Sequence, residues 1–251
     1  MELLLTFLVG IFILIGAFIV LKIENNDRLV SFSISMAFGV MLTLVIIELI
    51  PESFELLQEE YTKAITFGII LVATILGILL LKVLDYFVPD HELEKQTPKA
   101  KKDNLLHISI VSSIALILHN IIEGMAIYSS ALSDLSMGFM ISLGVGLHNI
   151  PMGMVVASTY YKANNSKKKT IIICSIVAIA TFLGGLMMFI FGETFLSNTS
   201  LGLLLSITLG MLLYIIFFEL FPQIKQTKYK KETILGIVIG IILLLISMFF
   251  E

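Results

Sequence analysis

Two histidine–asparagine pairs lie in the middle of two consecutive apolar stretches of the sequence. His119 and Asn120 are followed by Glu123, four residues after the histidine, and His148 and Asn149 repeat the pair in the next stretch. Residues four apart share one face of a helix. Imidazole and carboxylate groups are metal ligands. Because they are costly to place in hydrocarbon, such groups at this depth usually serve a function. The pattern therefore predicts a metal site inside a membrane.

The two copies are expected to meet because the segment between the stretches, 130–135, is short enough to make them antiparallel neighbours. The imidazoles of His119 and His148 then converge on one ion, with the carboxylate of Glu123 beside them. Nitrogen and oxygen donors suit zinc, iron, manganese, cobalt or cadmium. Asn120 and Asn149 add amide oxygens to the ion or orient its ligands.

Two further carboxylates occur in matching tetrapeptides at the ends of apolar stretches. Glu48-Leu49-Ile50-Pro51 and Glu219-Leu220-Phe221-Pro222 share the pattern Glu-Leu-x-Pro. Glu48 and Glu219 are candidates for the entrance and exit of an ion path, or they cap kinked helix ends. Their positions at opposite ends of the path are typical of an inverted repeat.

Two other residues carry open alternatives. Met41 precedes Glu48 by seven residues, and its side chain either packs in the core or serves as a soft axial ligand. His91 lies among acidic residues between two apolar stretches, where it either holds metal transiently on the cytoplasmic side or belongs to a solvated charged loop.

The elements that must position these residues are membrane-spanning helices. The chain has 251 residues, of which 58% are hydrophobic and 14% charged, with a mean hydropathy of +1.03. Apolar runs of about 20 residues cross a bilayer as helices, which satisfy their own backbone hydrogen bonds. We predict an all-α, polytopic membrane protein that forms a single transmembrane domain, 1–251, with a variable cytoplasmic loop at 88–104. The predicted spans are about 3–22, 30–51, 64–87, 105–129, 136–160, 170–191, 201–222 and 233–250.

The basic residues predict the orientation of these eight helices. All of the 16 Lys and Arg residues except Lys63 fall in or beside the loops that follow odd-numbered spans. Cytoplasmic loops carry the excess of Lys and Arg in membrane proteins. Both termini are therefore expected outside the cell, and spans 1–3 and 6–8 would form the inverted halves of a 3+2+3 arrangement around spans 4 and 5.

Other classes of function fit the sequence less well. Cys174 is the only cysteine, which excludes a disulfide within the chain. The basic residues are divided among several loops without interleaved aromatics, so no nucleic-acid partner is expected. The zincin pattern His-Glu-x-x-His is absent, which weighs against an intramembrane zinc hydrolase and against any enzyme. A metal-binding relative that senses but does not transport remains an alternative.

These motifs together resemble the ZIP (Zrt/Irt-like protein) family of divalent-metal transporters. The resemblance covers the whole chain, including His-Asn-x-x-Glu-Gly in span 4 and His148-Asn149-Ile150-Pro151-x-Gly153 in span 5. It implies metal uptake into the cytoplasm by alternating access, with zinc first among the substrates. It also implies His119, Glu123 and His148 as primary ligands together with Met41, and it assigns Asn120 and Asn149 to a second metal position.

The sequence departs from the family pattern at two positions. Met152 stands where the family has a bridging glutamate in span 5, and Thr181 stands where it has an acidic residue in span 6. Both losses fall on the second position, so we expect one central ion, with Met152 as a weak candidate ligand. The other expected partners are membrane lipids, and a homodimer is left open. The Ile, Lys and Asn usage is typical of a low-GC prokaryote and favours a prokaryotic plasma membrane.

Overall fold

The computed structural model describes residues 1–23, 26–88, 98–192 and 197–250, with the backbone alone for 98, 99 and 101, and these residues are helical without strands. Its helices are α1 (Glu2–Lys22), α2 (Asp27–Leu44), α3 (Ile50–Gln58), α4 (Lys63–Tyr86), α5 (Pro98–Ser133), α6 (Leu135–Asn164), α7 (Lys167–Phe191), α8 (Asn198–Tyr214), α9 (Phe221–Gln226) and α10 (Lys230–Ser247). Helix α5 begins inside the segment 88–104 that the sequence predicts as a loop. His91 lies outside the described residues.

Seven helical stretches within the described residues are long and apolar enough to cross a membrane. The chain is therefore a polytopic membrane protein. Helix α10 is apolar after its first turn, but that turn carries Lys230, Lys231 and Glu232, and α10 is not among the seven. The predicted count of eight spans depends on this helix.

The two ends of the helical bundle differ in charge. At one end, Asp27 at the start of α2 forms an ion pair with Lys162 near the end of α6, with 3.2 Å between the charged atoms. We call this the basic end, because it also holds Lys22, Arg28, Lys167, Lys168, Lys169, Lys225, Lys228, Lys230 and Lys231. At the opposite end, Asn198 at the start of α8 donates a hydrogen bond to Glu59 beyond α3. We call this the acidic end, since Glu52, Glu55, Glu59 and Glu60 lie there.

The helices divide into two bundles by their packing. In the first bundle, α1 packs on α6, and α7 packs on α5 and α1. In the second bundle, α2 packs on α10, and α8 packs on α4 and α3. The bundles meet mainly where α6 contacts α2 and α10. The contact between the two bundles is thus less extensive than the contacts among the helices within each bundle.

Two π-helical segments interrupt the second bundle. Val45–Leu49 joins α2 to α3, and Ile215–Leu220 joins α8 to α9. Each is followed by a proline, which has no N–H and whose ring crowds the preceding turn. The turn widens, so that Ile50 N–H bonds the carbonyl of Val45, five residues earlier. A widened turn of this kind changes the direction of its side chains and often marks a functional position.

The close contact between α5 and α7 in the first bundle depends on two glycines. A Cβ atom at Gly124 on α5 would overlap the backbone carbonyl of Thr181 on α7, and a Cβ atom at Gly184 would overlap the carbonyl of Ile121. Small residues let helices in a membrane approach closely enough for backbone packing. The contact fixes the register of α5, and thereby the depth of His119 and Glu123.

Candidate metal-binding site

Helices α5 and α6 carry the predicted ligands. They are joined by the single residue Asp134, whose carboxylate accepts hydrogen bonds from the backbone N–H groups of Ser136 (2.8 Å) and Met137 (3.4 Å). A side chain in this position satisfies donors that a helix start otherwise leaves unpaired. The two helices are therefore forced into an antiparallel pair, as the short predicted connection indicates.

The carboxylate of Glu123 lies between the two imidazoles. Its Oε1 atom is 2.8 Å from His119 Nε2 on the same helix and 2.9 Å from His148 Nε2 on α6. One ligand atom from each residue lies within 4.8 Å of the other two. Tetrahedral zinc ligands lie roughly 3.3 Å apart at Zn–N distances of about 2.0–2.1 Å. The contacts of Glu123 with the two imidazoles are thus a few tenths of an ångström shorter than the spacing around a bound zinc ion.

Burial makes this cluster costly unless a cation is bound to it. His119 and His148 are 1% and 0% exposed, and Glu123 is 9% exposed. Among the described residues, the second carboxylate oxygen of Glu123 has no hydrogen-bond partner. A charged group removed from water destabilises a protein unless it is paired. The cluster has the donor set and the unsatisfied negative charge of a metal site.

A cavity of about 350 Å³ connects this cluster with the acidic end. His119 and Glu123 line its inner part, and Glu48, Glu52 and Glu55 line its outer part. Glu48 belongs to the first π-helical segment. The structure thus brings one of the two predicted entrance and exit carboxylates into the same cavity as the central ligands.

The predicted second position consists of polar groups without charge. Asn120 donates a hydrogen bond from Nδ2 to the carbonyl of Val177 on α7 at 3.2 Å. Its Oδ1, both polar side-chain atoms of Asn149 and the hydroxyl of Thr181 have no hydrogen-bond partner among the described residues, and all three residues are wholly buried. These amide and hydroxyl groups are weaker ligands for a metal ion than the carboxylate of Glu123 and the imidazoles of His119 and His148.

The two methionines predicted as candidate ligands are core residues. Met41 and Met152 are each 0% exposed and belong to the main apolar core. Their burial is compatible with packing, which is the ordinary role of methionine. A ligand role for either thioether remains a proposal.

Glu219 lies in a different group from the one that surrounds Glu123. It contacts His107, which also contacts Asp85, near the basic end. The motifs of the sequence do not predict a role for His107 or for Asp85. The available signal was depth in the membrane, because Asp85, His107 and Glu219 all lie near the ends of their spans that are predicted to face the cytoplasm.

The fold and the site define an integral membrane protein with side chains of metal-ligand types gathered between its helices. The family model described as "ZIP Zinc transporter" matches residues 89–248, which is more than half of the chain. The chain therefore belongs to the ZIP family of divalent-metal transporters, and it is a multi-pass protein of the cell membrane. It is a transporter by family and not an enzyme.

Curated relatives agree with this assignment. The chain is 29% identical over 240 residues to "Zinc transporter ZupT" of Escherichia coli O7:K1 (strain IAI39 / ExPEC), covering 95% of this chain and 92% of the relative. It matches the protein of the same name from Escherichia coli (strain K12 / DH10B) with the same identity and coverage. The likeness extends over almost the whole length of both chains.

Proposed function

We propose that this protein carries a divalent transition-metal ion, zinc before others, into the cytoplasm by alternating access through one central site. His119, Glu123 and His148 are the ligands. The observation that carries the proposal is the contact of one buried carboxylate with imidazoles from two antiparallel helices. The family and the names of the relatives support transport as the activity of this site.

The orientation of the chain follows from the charge of the two ends, and the direction of transport, into the cytoplasm, is the one that the resemblance to the ZIP family implies. The positive-inside rule assigns the basic end to the cytoplasm. With α10 as the eighth span, both termini are extracellular, and the acidic end faces the outside. The proposed ion path therefore begins at Glu52 and Glu55, passes Glu48, and reaches Glu123 and His119 through the cavity. Carboxylates along this path raise the local cation concentration.

The packing of the helices supports an inverted repeat. Span 1 (α1) packs on span 5 (α6), while span 6 (α7) packs on span 4 (α5). Span 2 (α2) packs on span 8 (α10), while span 7 (α8) packs on span 3 (α4). The contact of span 1 with span 5 thus corresponds to the contact of span 6 with span 4, and the contact of span 2 with span 8 corresponds to that of span 7 with span 3. Folds of this kind alternate access by moving one part against another around a fixed site.

The moving part in this proposal is the first bundle, since α5 and α6 hold all three ligands. Its contact with the second bundle is limited mainly to α6. On the cytoplasmic side, the pair formed by Asp27 and Lys162 joins the bundles and must separate before an ion leaves on that side. Release then follows past Glu219, the proposed exit carboxylate.

The donor set favours zinc over harder ions. Two imidazole nitrogens and one carboxylate oxygen form the open three-ligand arrangement in which zinc keeps a fourth position for water or another ligand. Iron, manganese, cobalt and cadmium are accepted by the same donor types and compete as substrates. Met41 or Met152 would favour the softer ions if either thioether reached the fourth position.

We assign one ion to the centre rather than two. Met152 and Thr181 occupy the positions at which the family pattern has carboxylates, so Asn120 and Asn149 have no charged companion of their own. Two divalent ions close together need more negative charge than Glu123 alone supplies. The lost carboxylates also favour the second candidate function, a metal-binding member of the family that does not transport.

Uptake of radioactive zinc into proteoliposomes tests both candidates. The variant with His119→Ala and His148→Ala is expected to lose zinc-dependent uptake, whereas Met188→Ala, a buried residue in a separate apolar cluster, serves as the packing control. Full uptake by the double variant would overturn the proposal. Zinc binding by the wild type without any uptake would establish the non-transporting alternative.

A further inference from the structure

We propose that a cavity between the two helix bundles binds an acyl chain of a membrane phospholipid. The cavity has a volume of about 650 Å³ and lies between α5 and α7 of the first bundle and α4 and α8 of the second. It shares one of its described lining residues, Ile122, with the cavity that leads to the central ligands. The binding follows from the lining of the cavity and does not rest on the proposed function.

The cavity opens on the surface that faces lipid. Three of its lining side chains, those of Leu80, Met187 and Phe191, are 44%, 40% and 53% exposed, whereas Met125 and Met211 are buried. All four helices belong to stretches that are long and apolar enough to cross a membrane. The open side of the cavity therefore faces the hydrocarbon of the bilayer, where the chains of phospholipids have direct access to it.

The lining of the cavity is apolar. Among the described residues that line it none is charged, and the one with a polar side chain is Thr208, which is wholly buried. A polar headgroup moved into such a lining would lose its hydrogen bonds to water without gaining others. The cavity is thus complementary to the apolar part of a phospholipid, while the headgroup stays at the membrane surface.

The shape of the cavity suits a flexible chain. Its lining extends from Leu118 to Met125 on α5 and from Leu204 to Met211 on α8. Seven residues at a rise of about 1.5 Å each correspond to roughly 10 Å along either helix. Met187 on α7 adds a third methionine, and the unbranched thioether side chain adapts to irregular shapes. The volume lies within the range of about 300–1,000 Å³ that is typical of small-molecule sites.

A bound chain would fill a gap between the bundles. The contacts of α5 with α4 and α8 on this side are less extensive than those of α6 with α2 and α10. Protein interiors are closely packed, and an empty space loses dispersion contacts along its whole lining. An acyl chain supplies those contacts and stabilises the arrangement in which both bundles reach it. Under the proposed function, this arrangement is the outward-facing one.

Tryptophan fluorescence tests the site, because the chain contains no tryptophan of its own. Phe191→Trp places a reporter at the opening of the cavity, and Phe67→Trp places one on the exposed face of α4 outside it. Bromine atoms on an acyl chain quench tryptophan fluorescence at short range. Phosphatidylcholine with brominated chains, titrated into the metal-free protein in detergent, should quench Phe191→Trp until one lipid is bound per protein. At that ratio the quenching of Phe67→Trp should be several times weaker and should grow in proportion to the added lipid.

Two substitutions of Thr208 show whether the saturable quenching comes from the cavity. Thr208→Phe adds volume inside the cavity and should remove this quenching in the Phe191→Trp background. Thr208→Val keeps the shape of threonine and should retain it. A ligand that binds the folded protein raises its Tm. Added phosphatidylcholine should therefore raise the Tm of Thr208→Val more than that of Thr208→Phe.

Competition supplies a test that needs no change inside the cavity. Unbrominated phosphatidylcholine should reverse the quenching of Phe191→Trp. The inference is overturned if that quenching rises in proportion to lipid as in Phe67→Trp, or if monodisperse Thr208→Phe protein keeps the saturable quenching. A dimer that forms through this face and excludes the brominated lipid would equally overturn it. Because these measurements use no metal, their outcome is independent of whether the protein transports zinc.

Discussion

Glu123 Oε1 lies 2.9 Å from His148 Nε2, across the contact between two antiparallel membrane helices. The same oxygen lies 2.8 Å from His119 Nε2 on its own helix. A single carboxylate therefore connects the two copies of the histidine–asparagine motif, and only one of the copies contributes a carboxylate. This asymmetry underlies the proposal of one central ion.

Replacing Glu123 by glutamine tests the charge of the central site. The glutamine side chain would keep the shape of the glutamate but lose its charge, so zinc affinity should fall by at least about 10- to 100-fold, the loss seen when only a supporting hydrogen bond to a metal ligand is removed. Competition with a coloured chelator measures the Kd. Glu60→Gln, an exposed residue at the acidic end, should leave the Kd unchanged. An unaltered Kd in Glu123→Gln would exclude the carboxylate as a ligand.

The meeting of the central ligands could be predicted from the sequence because it depends on residues close together along the chain. A spacing of four residues places His119 and Glu123 on one helix face, and the short connection at Asp134 makes α5 and α6 antiparallel neighbours. These two relations determine that His148 meets Glu123. No long-range packing had to be known.

The cluster of Asp85, His107 and Glu219 near the basic end could not be derived in the same way. Asp85 and His107 lie on the consecutive helices α4 and α5, whereas Glu219 lies far away in the sequence, beyond α8. Their meeting depends on the lateral order of the helices, which hydropathy does not encode. The π-helical segments were also missed, because a widened turn differs from an α-helical turn by one residue. Only the prolines at 51 and 222 indicated that the helices were disturbed there.

Restoring the missing carboxylate tests why the centre holds one ion. Met152→Glu places an acidic group four residues after His148, where the family pattern has its bridging glutamate. We expect the bound zinc to rise by one ion per protein relative to the wild type, measured by equilibrium dialysis. Met152→Leu is the control and should bind one. A single ion in Met152→Glu would show that Met152 does not limit the stoichiometry.

The close contact between α5 and α7 should be sensitive to one methyl group. Gly124→Ala introduces a Cβ atom that overlaps the carbonyl of Thr181, so the helices must separate. Overpacking of this kind costs about 1–3 kcal/mol. A lower Tm in detergent, together with weaker zinc binding as Glu123 shifts, is the expected result.

Gly68 provides the matched control for that substitution. It also lies within a membrane helix, α4, but a Cβ atom there would meet no atom within 4 Å. Alanine at this position should be neutral or stabilise by up to about 1 kcal/mol, because alanine has the higher helix propensity. Equal effects of Gly124→Ala and Gly68→Ala on Tm would contradict the packing described for α5 and α7.

The carboxylate of Glu48 should affect the arrival of the ion more than its binding at the centre. Glu48→Gln removes a negative charge from the cavity that leads to Glu123. The apparent KM for zinc uptake should rise severalfold at low ionic strength and less at high ionic strength, because salt screens the attraction. The zinc Kd of detergent-solubilised protein should change less than the KM does. If Kd and KM rose equally, Glu48 would act as a ligand and not as part of the entrance.

Anomalous X-ray scattering from crystals soaked in zinc tests the central claim most directly. We predict one zinc peak at the middle of the membrane, about 2.0–2.2 Å from His119 Nε2, His148 Nε2 and an oxygen of Glu123. A peak elsewhere in the protein would not count for or against the central site. A central zinc held without His119 and His148, or no central zinc at saturating concentration, would contradict the account.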